Sequence, residues 1–408
     1  MTNNIKSANI KEKDGLTEAL SIFINQIVYT MKNAGENVTT LSLGEAFFDI
    51  PQFDEKELDF RKGMHYCDSR GLPGLRDKIS ALYRDEYGID TDAATQILVS
   101  AGSKAVIFMI MMALLDKGDE VLVPEPAWLS YPEHIRLAGG IPVFIPHDVP
   151  VSEYSRFITG RTKMIIINDP NNPGGKRYSC EELEDISRMC RENDMFVVSD
   201  EAYSNFLPEG SRFISAADSD RELANTIIVN SLSKNFGLSG WRIGYMIARK
   251  DIVDEVLKYQ QHIITCSPTY LQMYAERYFD DLVKITAPQI KAVMDKRRRT
   301  ESAMREKGIS FMPGDSTFYF LIDCGKYSLD KMKLCLYLLF RYRIAAVPGE
   351  AYGQSVRDYI RIGIGTASDE ELSYALDIIK KVVDTNEFDE NVITDHAARL
   401  GISITNYI

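Results

Sequence analysis

The sequence predicts an α/β protein built on a largely parallel sheet with helices on both faces. From residue 96 onward, short apolar runs typical of buried strands alternate with stretches of helical periodicity. The runs are apolar at nearly every position, which indicates strands that are buried on both faces. At 408 residues the chain is also too long for one ordinary domain. The predicted strands cover 96–100, 120–123, 142–146, 163–167, 195–199, 226–229 and 244–248, and the clearest helices between them cover 103–115, 179–193 and 250–262.

Composition and charge exclude several kinds of partner. A formal net charge of −12 disfavours nucleic acid and anionic membranes as partners. The six cysteines form neither a CxxC pair nor a metal-ligand cluster, so we expect reduced, buried thiols and no metal site. The first fifteen residues are polar, and the longest apolar run, 106–115, is about half of what spans a bilayer. We therefore expect a soluble, cytoplasmic protein.

Two segments precede the predicted sheet. Residues 16–33 carry apolar side chains at helical spacing. Residues 41–44 have the pattern of a strand that runs into a turn at Gly44. Tyr66 begins a glycine- and proline-containing segment, 66–76, that opens a further helix.

A smaller lobe is predicted after the sheet. Residues 285–306 form a long basic helical stretch, and we expect its four consecutive basic residues, 296–299, to be a solvated face. The lobe contains strands at 317–322 and 359–364 and helices at 328–342 and 369–384. We predict an N-terminal segment that joins the small domain (1–45), a large domain (46–290), a small domain (291–385) and a tail without an assigned role (386–408).

The segment after the strand 226–229 carries the chemistry. Lys234 follows this strand, and a lysine at the end of a buried strand is unfavourable unless it is used or paired. Burial lowers the pKa of a lysine, which makes its amine available for a Schiff base. The hydroxyls of Ser231 and Ser233 and the guanidinium of Arg242 suit a phosphate beside that amine. An amine next to a phosphate cradle is what pyridoxal 5′-phosphate (PLP) requires.

With Arg242 eight positions after the lysine, this segment resembles the PLP-lysine motif of the class I and II aminotransferases, the fold-type-I PLP enzymes. The resemblance covers roughly residues 38–384 and is closest to the aspartate aminotransferase-like branch. It implies a large domain with a mostly parallel seven-stranded sheet between helices and a smaller α+β domain. It also implies a ping-pong transfer of an amino group from an L-amino acid to a 2-oxo acid, with Lys234 as the base that moves the α-proton. The amino acid substrate is possible as an acidic one, of the aspartate or glutamate type.

Two further motifs are implied to hold the cofactor from the start of helices. Gly102, Ser103 and Lys104 open the helix after 96–100, and the resemblance gives their backbone the cofactor phosphate. In the aspartate-using branch, a lysine at the place of Lys104 also contacts the distal carboxylate of the substrate. The segment PAWLSYP resembles that branch as well, and there Trp128 stacks on the pyridine ring.

Two loops at strand ends are implied to set the electronic state of the cofactor. The loop 168–175 resembles the family's NxPxNPTG, in which Asn172 donates its amide to the phenolic oxygen. Asp200 ends the strand 195–199, and a buried carboxylate needs a cationic partner. The resemblance supplies that partner as the protonated pyridine nitrogen, and it places the hydroxyl of Tyr203 on the phenolate oxygen.

The remaining motifs concern the substrate and a second subunit. Arg361 matches the family arginine that binds the α-carboxylate through its planar fork. The backbone at Gly44 is implied to approach the substrate, together with Asn172 and Trp128. Tyr66 matches a tyrosine that reaches the cofactor phosphate of the neighbouring subunit, which implies a homodimer with shared active sites.

The cofactor contacts leave two other functions open. A PLP-dependent C–S lyase or eliminating synthase of the same fold would use every contact named above, and a lyase would release ammonia and pyruvate. A non-catalytic PLP-binding regulator would carry a basic DNA-binding domain. The roughly 40 residues before Gly44 are neither basic nor long enough for one.

Overall fold

The computed structural model describes residues 18–404, so Leu16 of the predicted first helix lies outside the described residues. In chain order the strands are β1 (Thr39–Thr40), β2 (Ile97–Ser100), β3 (Glu120–Pro124), β4 (Ile141–Ile145), β5 (Thr162–Asn168), β6 (Phe196–Asp200), β7 (Thr226–Ser231), β8 (Gly244–Ile247), β9 (Tyr319–Asp323), β10 (Ile344–Ala345), β11 (Val347–Pro348) and β12 (Tyr359–Gly363). The α-helices are α1 (Leu20–Asn33), α2 (Phe60–Gly63), α3 (Pro73–Leu82), α4 (Ser103–Leu114), α5 (Ser130–Leu137), α6 (Cys180–Glu192), α7 (Leu232–Asn235), α8 (Lys250–Ile263), α9 (Thr269–Glu306), α10 (Lys331–Tyr342), α11 (Asp369–Thr385) and α12 (Glu390–Leu400).

Seven strands form the central sheet, in the order β2-β8-β7-β6-β5-β3-β4. Neighbouring strands are parallel except for the two pairs that β8 makes, with β2 and with β7. Alternate side chains of one strand enter separate apolar clusters. In β5, Met164 and Ile166 pack into one cluster, and Ile165 and Ile167 pack into the other. The prediction of a mostly parallel sheet covered on both faces is confirmed.

The carboxyl ends of several strands meet at one edge of this sheet. Asn168, Asp200 and Ser231 are the last residues of β5, β6 and β7, which run parallel to one another. Because β8 reverses direction between β7 and β2, Ser100 at the end of β2 reaches the same edge. This is the edge at which parallel sheets bind ligands.

A second group of elements packs around another apolar cluster. Strands β9, β12 and β11 form an antiparallel sheet, and β1 pairs in parallel with β10. The same cluster takes in buried side chains of α1, α10 and α11. This packing supports an N-terminal contribution to the small domain, while the domain boundaries themselves stay predictions.

The long helix α9 corrects one prediction. The predicted helix 285–306 is its second half, and Pro288 lies inside it. The run 296–299 is not a fully solvated face, because Arg297 is 2% exposed. Its guanidinium donates to the carbonyl oxygens of Gly314 and Tyr319. Four consecutive helical residues point around most of the helix circumference, so one of them has to face inward.

The predicted strand at 41–44 is absent, and only Thr39–Thr40 pairs as β1. Leu41 O still accepts from the backbone N–H of Gly363 in β12, but the carbonyl oxygens of Ser42 and Gly44 accept side-chain donors. Ser42 O accepts from Arg361 Nη2 at 2.5 Å, and Gly44 O accepts from Lys234 Nζ. Beyond Leu41, two side chains that were predicted to do chemistry therefore bind the backbone of this segment.

The tail that the sequence left without a role contains α12 within its described part. This helix packs against α10, with Ile393 and Ala397 buried in the cluster of the small sheet. Arg399 and His396 both bind Glu36, just after α1, at 2.7 and 2.9 Å. The tail thus closes the apolar core around α10 and links it to the N-terminal segment.

The structure bears on two expectations from composition, which concern the cysteines and membrane-spanning segments. All six cysteines are free, but only Cys190, Cys324 and Cys335 are buried. The expectation of buried thiols is wrong for Cys180, which is exposed because it lies on the solvent side of the first turn of α6. Among residues 18–404, no helix combines the length and the apolar composition needed to cross a bilayer.

Candidate active site

A cavity of about 240 Å³ opens at the carboxyl edge of the central sheet and is also lined by β12 and β9. It brings together residues that lie more than 300 positions apart in the chain. Twelve of the predicted site residues line it: Gly44, Ser103, Lys104, Trp128, Asn172, Asp200, Tyr203, Ser231, Ser233, Lys234, Arg242 and Arg361. Gly102 is not among the lining residues but lies next to Ser103 in the chain and against the side chain of Arg242.

Lys234 lies in α7, the short helix that follows β7, and its amine projects into the cavity. The amine donates to the carbonyl oxygen of Gly44. Burial lowers the pKa of Lys234 to about 8, against the opposing influence of Glu45, and the charges of Arg361 and Arg242 lower it further. A substantial share of this amine is therefore neutral near pH 8, so it is an available nucleophile and base.

Asp200 ends β6 and is 6% exposed. Burial raises the pKa of its carboxyl to about 6, although two hydrogen bonds oppose that rise. The hydroxyl of Tyr131 donates to Oδ2 at 2.6 Å, and the backbone N–H of Ala202 donates to Oδ1 at 3.3 Å. A cation that binds beside such a carboxylate stabilises its charged form.

The start of α4 forms a cradle for an anion. Gly102 has φ +86°, and a Cβ there would lie 2.5 Å from Arg242 Nη2. Arg242 also has a left-handed backbone, with φ +56°, and its Nη1 donates to Ser239 O at 2.8 Å. The first N–H groups of α4 and this guanidinium are therefore adjacent at the start of the helix, and such a set of donors suits a phosphate.

Arg361 on β12 is 4% exposed, yet no carboxylate of residues 18–404 lies within ion-pair distance of it. Its guanidinium packs against the rings of Tyr319 and Tyr352, with its central carbon 4.7 and 5.1 Å from their centroids. Its Nε is buried and has no hydrogen-bond partner among residues 18–404. A buried cation without a counterion suits a site that receives an anionic ligand.

Asn172 and Tyr203 line the same cavity and are hydrogen-bonded to each other. Asn172 Nδ2 donates to the hydroxyl oxygen of Tyr203 at 3.2 Å, and this oxygen is 3.0 Å from the hydroxyl oxygen of Tyr319. Asn172 Oδ1 is buried without a partner among the described residues. Burial holds the pKa of the Tyr203 hydroxyl well above its usual value. This phenol is therefore a hydrogen-bond donor and not an anion.

Trp128 and Lys104 form another wall of the cavity. Lys104 Nζ lies 4.8 Å from the centre of the indole ring. Burial and the nearby charge of Arg242 both lower the pKa of Lys104. Within the described chain this amine has no carboxylate partner, so its charge is free to meet a ligand.

Tyr66 does not line the cavity of its own chain. Its side chain is 85% exposed, and the nearby apolar side chains of Phe60 and Met64 are 64% and 62% exposed. An exposed apolar patch of this kind is typical of a protein–protein interface.

Sequence reasoning missed three residues that support the site. Tyr131 holds Asp200, and it stands in the PAWLSYP segment already singled out. Ser42 links Arg361 to α1, because its hydroxyl donates to Asn25 Oδ1 at 2.6 Å. Tyr319 joins Tyr203 and Arg361 and carries no local motif that would have marked it.

Three comparisons with known proteins agree with one another. The family model "Aminotransferase class I and II" matches residues 34–379. The chain is 32% identical to an aspartate aminotransferase of Pyrococcus abyssi, over 85% of this chain and 92% of the relative. It is 31% identical to aromatic-amino-acid aminotransferase 2 of Thermococcus litoralis, with the same two coverages of 85% and 92%. The solved structure of Thermus thermophilus aspartate aminotransferase with maleate superposes with a TM-score of 0.81 at 27% identity, covering 90% of this chain and 97% of that one.

Proposed function

The chain belongs to the aminotransferases of class I and II, and we infer that the cavity around Lys234 is its active site. It is a PLP-dependent enzyme that moves an amino group between an amino acid and a 2-oxo acid. The observation that carries the assignment of the site is one amine with a pKa of about 8 at the carboxyl edge of the sheet, in one cavity with the buried carboxylate of Asp200. The cytoplasmic location of the protein stays a prediction.

The residues present fit PLP. Arg361 Nε and Asn172 Oδ1 are buried polar atoms with no partner in the described chain, and both belong to side chains that line the cavity. A Cβ at Gly102 would fill the space beside Arg242, so the glycine keeps the anion cradle open. The donor set comprises an amine, a carboxylate, a phenol and a phosphate cradle, which are the groups that this cofactor requires.

The positions of the binding residues support a role for each of them. The backbone of Gly102, Ser103 and Lys104 would hold the phosphate, together with Ser231, Ser233 and Arg242. Trp128 would lie against the ring and exclude water. Tyr203 and Asn172 would donate to the ring oxygen, and Asp200 would keep a proton on the ring nitrogen.

The chemistry divides between cofactor and chain. Bound PLP supplies an aldehyde and a ring that accepts the electron pair of the breaking Cα–H bond. Arg361 would bind the α-carboxylate of the substrate and so orient that bond. The amine of Lys234 would remove the Cα proton as a base and return a proton as an acid. The backbone at Gly44 meets this amine directly, which fits its predicted place near the substrate.

We test the site through Lys234→Ala. This variant should fold, lose the visible absorbance that bound PLP gives the wild type, and lose transamination altogether. Amino-group exchange at the normal rate would contradict the assignment of Lys234. Release of ammonia by the wild type, in place of exchange, would instead favour the lyase alternative.

For the substrate we propose an acidic amino acid of the aspartate or glutamate type. Two cationic groups lie at this wall, close enough that the charge of Arg242 lowers the pKa of Lys104, and Lys104 lacks a carboxylate partner among residues 18–404. The predicted position of the phosphate occupies Arg242, which leaves the amine of Lys104 for a second carboxylate. Relatives are named for both aspartate and aromatic amino acids, and we propose that the charge of this amine favours the acidic substrates.

Lys104→Met tests this preference because it keeps the length of the side chain and removes its charge. We expect kcat/KM for aspartate or glutamate to fall by about 10- to 100-fold, with little change for an aromatic amino acid. Lys163→Met is the matched control, since Lys163 also lies over an aromatic ring, that of Phe196, but outside the cavity. Equal losses for acidic and aromatic substrates would refute the proposal.

We also propose that the enzyme is a homodimer with shared sites. The support is the exposed position of Tyr66, at the end of an apolar patch and away from the cavity of its own chain. A second copy seated on that patch would bury Phe60 and Met64 and receive the hydroxyl of Tyr66.

A further inference from the structure

Tyr319 connects two groups of the active site. It is the first residue of β9, is 1% exposed, and pairs with Gly363 at the end of β12, the strand that carries Arg361. The central carbon of the Arg361 guanidinium lies 4.7 Å from the centre of its ring. At the other end, its hydroxyl oxygen is 3.0 Å from that of Tyr203.

A count of protons fixes the direction of this hydrogen bond in the working enzyme. A phenol has one proton to donate and can accept two hydrogen bonds. Tyr203 already accepts from Asn172 Nδ2 at 3.2 Å. If Tyr203 gives its only proton to the ring oxygen of the cofactor, it has none left for Tyr319. Tyr319 must then donate its own proton to the oxygen of Tyr203.

We propose that Tyr319 is a positioning residue that donates a hydrogen bond to Tyr203 and thereby strengthens the donation from Tyr203 to the ring oxygen of PLP. The proposal rests on the role of Tyr203 given above. Hydrogen bonds in a chain polarise one another, so a phenol that accepts two bonds is a stronger donor itself. Burial raises the pKa of the Tyr319 hydroxyl, and the positive charge of Arg361, which lies over the face of its ring, offsets part of that rise.

Tyr352 shows that packing against Arg361 does not need a hydrogen-bonded hydroxyl. Its ring faces the same guanidinium at 5.1 Å, and it is equally buried, at 1% exposure. Its hydroxyl oxygen nevertheless has no partner in the part of the chain that the structure describes. The hydroxyl of Tyr319 is therefore the feature that distinguishes two tyrosines with the same packing role.

The test measures the pH midpoint of the visible absorbance of the holoenzyme, because stronger donation to the ring oxygen lowers that midpoint. Tyr319→Phe keeps the ring against Arg361 and removes only the hydroxyl. We expect its midpoint to rise by about 0.5 to 1 pH unit and its Kd for PLP to rise by about three- to tenfold. Tyr352→Phe is the matched control and should leave the midpoint unchanged. Thermal unfolding of the apoenzymes checks that each variant folds.

A double variant shows whether Tyr319 acts through Tyr203. Tyr203→Phe should raise the midpoint more than Tyr319→Phe does, and adding Tyr319→Phe to it should change nothing further. Additive shifts, or a normal midpoint in Tyr319→Phe, would overturn the proposal. A normal midpoint in Tyr203→Phe would instead show that the role of Tyr203 is wrong, and the transaminase assignment would still be judged by Lys234→Ala.

Discussion

At the scale of single residues, Asp200 lies where its own charge is unfavourable. Burial at the end of β6 raises the pKa of its carboxyl from 3.8 to about 6, and Tyr131 and the N–H of Ala202 offset only part of this. Without a cation beside it, the ionised carboxylate destabilises the folded chain. A protonated ring nitrogen would remove that cost, so binding of PLP and the stability of the fold are linked through this residue.

Asp200→Asn tests this link in the apoenzyme. The folded-state pKa is raised, so the contribution of Asp200 to stability is fully present below about pH 4 and is lost as the pH rises through about 6. We therefore expect the Asn variant to be more stable than the wild type at pH 7 and above, by up to about 3 kcal/mol, and equally stable near pH 4. Denaturant unfolding of both apoproteins across this pH range measures the difference. A variant that is less stable than the wild type at pH 7 would contradict this link.

Sequence reasoning found the residues that stand in local motifs and missed those that depend on distant contacts. Lys234 and Asp200 were predicted because each follows a buried apolar strand. Tyr131 and Tyr319 act on partners 69 and 116 positions away, and no local pattern encodes such a pair. Their roles became visible only once the strand order had brought these segments side by side.

At the scale of elements, the start of α4 shows how backbone shape makes a binding site. Gly102 has φ +86°, which favours glycine, and the missing Cβ leaves room for the guanidinium of Arg242. Gly244 has a related role in β8, since a Cβ there would lie 2.3 Å from Ser103 N. Both glycines allow the first turn of α4, β8 and Arg242 to meet without an intervening side chain.

Gly102→Ala should therefore weaken cofactor binding as well as stability. The new Cβ would meet Arg242 Nη2 at 2.5 Å and displace it, so we expect the Kd for PLP to rise by at least about tenfold. Gly118→Ala is the matched control, because Gly118 has φ +94° and nothing within 4 Å of a new Cβ. Both variants should lose stability from backbone strain, Gly102→Ala more than Gly118→Ala because φ +86° with ψ 159° is almost restricted to glycine, and only Gly102→Ala should lose affinity. Titration of each apoenzyme with PLP, beside thermal unfolding, separates the two effects. Equal affinities would show that the cradle does not hold the cofactor.

Several strands that sequence reasoning located correctly are buried along nearly their whole length. Each of β5, β6 and β7 contains a continuous apolar run, as expected of strands buried on both faces, so these strands could be located from composition alone. The antiparallel direction of β8 could not be predicted in the same way, because an apolar run does not show in which direction its strand runs in the sheet. The predicted strand at 41–44 failed for a different reason, since the carbonyl groups of Ser42 and Gly44 accept from the side chains of Arg361 and Lys234.

At the scale of the whole molecule, the active site depends on two groups of elements staying together. Lys234, Asp200 and Trp128 come from the central sheet and its loops, whereas Arg361 comes from the small sheet. Glu125 joins the two groups, because its carboxylate accepts from the N–H groups of Gln354 and Ser355 at 3.0 and 2.8 Å. Close by, Ala127 N donates to Tyr352 O at 2.8 Å. These bonds fix the distance between the indole wall and the guanidinium that would bind the substrate.

The proposed homodimer extends this dependence to a second copy, and mixed dimers test it. Lys234→Ala removes the catalytic amine, and Tyr66→Phe removes a hydroxyl that we expect to serve the phosphate of the other subunit, weakening PLP binding there by about tenfold. If Tyr66 acts across the interface, a hybrid of the two variants has one site with both changes and one site with neither. At a PLP concentration that fills only intact sites, the mixture should be more active than the sum of the separate variants.

The comparison works because Tyr66 is exposed and lies outside the cavity of its own chain. A tyrosine that served its own site would leave every site of the hybrid with one change, and mixing would then give no gain. Mixing Lys234→Ala with wild type sets the baseline, because it changes the number of intact sites without restoring any. Activity in the hybrid sample that matches the sum of its parts would therefore contradict the proposal that Tyr66 acts across the interface.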